Sequence, residues 1–120
     1  MSLTAAAVAS PRQLYQGQPG TTVGTLYTAP AASANVTSPS ATAYITEIVI
    51  ANTTASAATI SLYIGGSAAA NAILSGLSIA ANDTKILTGL KTAIPAGATI
   101  QALQGTAAAI TLTLSGVEVQ

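Results

Sequence analysis

Cysteine, histidine, phenylalanine and tryptophan are all missing from this 120-residue chain. Without cysteine there can be no disulfide framework and no thiolate nucleophile, and the redox state of the compartment leaves no mark. Without histidine the commonest general base is gone. Charge is nearly as scarce. Arg12, Glu47, Asp83, Lys85, Lys91 and Glu118 make up 5% of the chain and sum to zero, where an ordinary soluble domain is about 25% charged. No basic cluster exists, so nucleic-acid binding lacks its electrostatic footprint. Long apolar runs are absent too: mean hydropathy is +0.59, but it comes from 27 alanines. Ser, Thr, Gly, Asn and Pro interrupt every apolar run short of the roughly 20 residues of a membrane-spanning helix, so no membrane role is expected. The opening Met1–Ser10 has neither a basic start nor a long apolar core, and no Sec export is expected.

What remains is a length for one domain and a core drawn from 11 Ile, 11 Leu, 6 Val, four Tyr and many Ala. Such a core is thin, and a surface with so few charges offers little repulsion between copies. Together they predict a protein stabilised by contacts with other chains, a homo-oligomer.

The clearest pattern is at the C-terminal end. Ile110, Leu112 and Leu114 alternate with Thr111, Thr113 and Ser115, the period of a strand with one buried face. We expect it to be a central strand. After Gly116 the large residues fall on odd positions, Val117 and Val119, which predicts a β-bulge or an inverted face at the glycine. Upstream, Tyr44 to Ala51 reads as a buried strand and Thr59 to Ile64 as an alternating one, and with the turn residues 52–56 between them the two are expected to form a hairpin. Ala68 to Leu74 is the one place for a helical turn, although an irregular connection into a strand at Ile73 to Ile79 fits better. Thr84 to Leu90 and Ala98 to Leu103 complete six core strands. Their spacing predicts an all-β fold, an antiparallel β-sandwich or jelly roll. Residues 1–40 hold four of the five prolines. They read as an extended N-terminal arm with short strands near Arg12 to Gln16 and Thr22 to Thr28, ahead of a sandwich domain at 41–120. On that reading, removing the arm spares the fold.

No constellation announces a reaction, and no catalytic, cofactor-binding or metal-ligating residue is assigned. The three carboxylates could pair as in a glycosidase, but Glu47 and Glu118 sit within strands and Asp83 sits in a turn, as solvated charges do. Each glutamate could instead pair with Lys85, Lys91 or Arg12. Asn82-Asp83 supplies too few oxygens for calcium, which takes about 6 to 8, and reads as a turn. Asn35-Val36-Thr37, Asn52-Thr53-Thr54 and Asn82-Asp83-Thr84 match the glycosylation acceptor pattern, and turn chemistry accounts for them. The expectation is a non-enzyme without cofactors.

At Leu26-Tyr27-Thr28-Ala29-Pro30, Ala51-Asn52-Thr53-Thr54, Ile94-Pro95-Ala96-Gly97 and Ser115-Gly116-Val117-Glu118-Val119 the chain resembles small β-rich virion proteins of tailed bacteriophages. The resemblance covers most of residues 22–119 and rests on turns and strand ends, so it carries over no functional residue. It implies a structural protein of the particle, made in the host cytoplasm: a capsid decoration or cement protein, expected as a trimer contacting the major capsid protein. The alternatives are a neck, tail or fibre component and, from another class, a glycan-binding or host-adhesion sandwich. The last would need an aromatic platform, for which four tyrosines and no tryptophan are present.

Overall fold

The computed structural model describes residues 9–31 and 41–119. Among them the strands are β1 (Ala9–Gly17), β2 (Gly24–Thr28), β3 (Ala41–Asn52), β4 (Ala58–Ile64), β5 (Ala72–Ile79), β6 (Thr84–Leu87), β7 (Thr92–Pro95), β8 (Thr99–Gln104) and β9 (Ile110–Val119). They form two sheets, and every pairing is antiparallel. The first has the order β1-β9-β3-β6, with β7 also pairing β3; the second has the order β2-β8-β4-β5. The fold is the all-β sandwich that the alternation predicts.

The two sheets face each other through the alternate positions that carry the large aliphatic residues. Ile45, Ile48, Ile50, Ile110, Leu112 and Leu114 from the first sheet meet Ile60, Leu62, Ile79 and Ile100 from the second, all buried. Each such side chain stabilises the fold by about 1.5–3 kcal/mol relative to exposure. Since a strand's side chains alternate between faces, the same residues fix which face of each strand is outward.

The connections wind the chain as a doubled ribbon. Outermost in sequence, β1 pairs with β9; then β2 pairs with β8, β3 with β6 and β7, and β4 with β5. The tip of the ribbon is the Ile64–Ala72 connection, where Ala69–Asn71 makes a single 3-10 turn. That turn is all that forms of the helical possibility at Ala68 to Leu74, because Gly65 and Gly66 precede it and β5 begins at once.

β3 and β4 do not form the expected hairpin: they lie in different sheets, β3 beside β9 and β4 beside β8. Both strands present an aliphatic face, and placing them in opposite sheets lets those faces pack against each other across the core. The expected strand Thr84 to Leu90 ends at Leu87. Gly89, at φ 69°, turns the chain, and a separate edge strand, β7, continues along β3. Its last residue is Pro95, at a sheet edge where the missing N–H costs nothing.

The irregularity predicted at Gly116 is present, but on the neighbouring strands. β9 keeps its even-numbered face inward throughout, and the extra residues are Thr46 in β3, opposite Ser115–Gly116, and Leu14 in β1, opposite Leu114–Ser115. A Cβ at Gly116 would run into the Tyr44 carbonyl oxygen and stand 2.9 Å from Leu14 Cδ1. Glycine is there for close approach, and Val117 and Val119 point outward.

β1 and β2, which the sequence places in the arm, are edge strands of the two sheets. Leu14 and Ala29 are buried in the common core, with Leu26 and Tyr27 packed against it.

Candidate interaction surface

Three polar junctions tie the two sheets together, and each grows from an amide or carboxylate standing at an inward position. At one end of the sandwich Asn52, the last residue of β3, is 3% exposed. Its Nδ2 donates to the carbonyls of Ser56 (2.8 Å), Ile79 (3.1 Å) and Ala80 (3.3 Å), while its Oδ1 accepts from the Thr54 N–H (3.0 Å) and hydroxyl (2.8 Å). The 53–57 crossover is thereby held to the end of β5, and an asparagine so enclosed is a turn anchor. Of the other two acceptor patterns, Asn82 is the left-handed residue of the β5–β6 turn, at φ 55°, and Asn35 lies outside the described residues.

At the same end Gln104, fully buried at the inward phase of Ile100-Ala102-Gln104, closes the second junction. Its Nε2 donates to the Pro19 carbonyl, and its Oε1 accepts from the N–H groups of Ile110 (2.7 Å) and Ala109 (3.2 Å). The Gln104 N–H donates to the Gly20 carbonyl at 2.9 Å. The β1–β2 connection and the β8–β9 turn are both fastened to this one side chain.

The third junction lies at the opposite end. Glu118 accepts from the Tyr27 hydroxyl of the facing sheet, and its other oxygen is 2.7 Å from Arg12 Nε. Burial, then the bond to Glu118 and its charge, hold the Tyr27 pKa far above its ordinary value, with Arg12 pulling the other way. Among the described residues this is the one ion pair, so of the pairings open to the glutamates the structure selects Arg12 with Glu118. Arg12 is 60% exposed and the pair is screened accordingly.

The carboxylates do not converge. Glu118 faces the core side of the first sheet; Glu47, paired with Ser115, stands on its outer side. Asp83 sits in the β5–β6 turn, where its Oδ1 accepts from the Thr84 N–H at 2.9 Å. No group of three acidic, histidine or cysteine side chains comes together among the described residues. Sequence reasoning did not single out Asn52 and Gln104 as structural anchors. The signal was available: both are lone amides at positions where the alternation calls for an aliphatic residue.

The arrangement has two outer faces of different character. All six charged residues belong to the first sheet or to the connections beside its edge: Arg12 in β1, Glu47 in β3, Asp83 before β6, Lys85 in β6, Lys91 before β7 and Glu118 in β9. The strands of the second sheet, β2, β4, β5 and β8, contain none. Outward from that sheet point Thr25, Thr28, Thr59, Ser61, Tyr63, Thr99, Gln101 and Leu103, and Ile73 of β5 is 38% exposed. Registers pair Thr25 and Tyr63 with Gln101, and Thr28 with Thr99. On the first sheet the register aligns Pro11, Val117, Tyr44 and Ala93 in one apolar row across four strands, with Glu47 nearer the middle of the face.

No protein-family model matches the chain, and no curated sequence matches it. Among solved structures, it is similar to a chain of the "Cyanophage Pam1 capsid asymmetric unit", with 12% sequence identity and a TM-score of 0.41, over 95% of this chain and 81% of that one.

Proposed function

We propose that this chain is a non-enzymatic structural protein of a bacteriophage virion, a decoration or cement protein that stabilises the head lattice. On this reading it is made in the host cytoplasm and joins the particle as a homo-oligomer, a trimer, against the major capsid protein. The observation that carries the reading is the distribution of charge: half of a two-sheet sandwich, including a whole outer face, is free of ionised groups. Burying ionised groups against a partner is costly unless each is paired, so a charge-free face is suited to lasting contact with other chains. The doubled-ribbon winding supports it: with β6 and β7 counted as one interrupted strand, it resembles the eight-strand jelly roll used in viral capsid and lectin domains.

The test is add-back to particles lacking the protein, followed by mass spectrometry of the intact particles. A copy number that matches the capsid lattice, with particles that withstand higher temperature, is the expected result. A small multiple of three or six copies would move the protein to the neck, tail or fibre. Absence from particles would overturn the reading.

A further inference from the structure

We infer that the outer face of the β2-β8-β4-β5 sheet is a self-association surface whose occupant is the same face of a second copy. The inference deepens the proposed function and rests on it only for the setting in which contacts accumulate: a same-face contact is two-fold and closes on a pair, so it joins copies of neighbouring trimers and does not build the trimer itself. Two observations select this face and this partner, and a third sets the strength of the contact.

The first is electrostatic. An ionised partner would lose its water against a face with no counter-charge to offer, an uncompensated desolvation. The face therefore matches an uncharged surface, and a second copy supplies one. The first sheet's outer face fails as its own partner, because a symmetric contact brings one Glu47 towards the other.

The second is hydrogen bonding. A surface made only of donors or only of acceptors cannot satisfy a copy of itself. Thr25, Thr28, Thr59, Thr99 and Tyr63 carry hydroxyls that donate and accept, and the Gln101 amide has both functions as well. The face is chemically self-complementary.

The third is area. Four strands about 4.8 Å apart, with about six residues each at about 3.4 Å, span roughly 400 Å² per copy. A stable isolated dimer buries about 800 Å² per partner. The contact is therefore weak alone and becomes lasting when several copies are held side by side, as avidity requires.

Sedimentation velocity of the full chain over a concentration series tests this, with folding of each variant checked by circular dichroism. The expected result is reversible, concentration-dependent association that persists from low salt to about 1 M, since no exposed ion pair is involved. Gln101→Lys and, independently, Thr25→Lys should each weaken it by at least about tenfold, while Thr113→Lys on the outer face of the first sheet leaves it unchanged. A wild-type protein that stays monomeric at every concentration overturns the inference, as does association abolished by Thr113→Lys or by salt alone. A monomer that instead binds a neutral oligosaccharide, with Gln101→Lys removing that binding, assigns the face to glycan and also overturns it. Add-back to particles is read separately, so failure of self-association leaves the virion reading standing or falling on its own result.

Discussion

Gly116→Ala adds one methyl group at the point where three strands crowd together. Its Cβ would penetrate the Tyr44 carbonyl oxygen and lie 3.1 Å from the Tyr44 carbonyl carbon and 2.9 Å from Leu14 Cδ1. Overpacking among side chains costs about 1–3 kcal/mol because neighbours can repack. Here the main obstruction is the backbone of β3, held in its ladder with β9, so the strands must separate locally and lose hydrogen bonds. We expect about 3–5 kcal/mol of destabilisation, a large share of the roughly 5–15 kcal/mol that a domain has. At this length each kcal/mol lowers Tm by about 4 °C, giving a fall of roughly 12–20 °C in a thermal melt followed by circular dichroism. Gly20→Ala is the control: its nearest neighbour to a Cβ is the Thr22 carbonyl oxygen at 3.6 Å, an ordinary contact. It should change stability by less than about 1 kcal/mol. A Gly116→Ala protein that melts within about 3 °C of wild type refutes the reasoning. So does full rescue by Leu14→Ala, which would make the obstruction a side chain.

Asn52→Asp should destabilise more at neutral pH than near pH 4, because an ionised carboxylate would face the Ser56, Ile79 and Ala80 carbonyls that the amide now satisfies; urea unfolding at the two pH values measures this. Since the folded-state pKa of Tyr27 is raised, the unfolded chain ionises first, so stability is complete below the ordinary value of about 10 and falls as pH rises above it. Tyr27→Phe should remove that part of the alkaline loss, seen in denaturant midpoints from pH 8 to about 11. Deleting residues 1–31 removes β1 and β2, an edge strand from each sheet, together with the buried Leu14 and Ala29. It should abolish the cooperative melt; a truncated protein with native-like circular dichroism and a sharp transition would show these strands to be dispensable.

Local periodicity determined the strand identities. Ile110-Leu112-Leu114 and Ile60-Leu62-Ile64 could bury one face only as strands, and their spacing sufficed for a two-sheet all-β fold. The scarcity of charge likewise directed the reading towards contact between chains and away from chemistry. Tertiary structure decided which strands became neighbours. Alternation says which face is buried but not against what, so nothing local distinguishes a β3–β4 hairpin from a crossover between sheets. Sequence-distant partners set the bulges as well: Thr46 and Leu14 are extra only relative to β9, and Gly116 is required only because the Tyr44 backbone passes beside it. The Arg12–Glu118–Tyr27 junction joins residues about 100 positions apart. The uncharged outer face likewise exists only after winding sorts the strands, because the charged residues are scattered along the chain and become one-sided once β2, β4, β5 and β8 share a sheet.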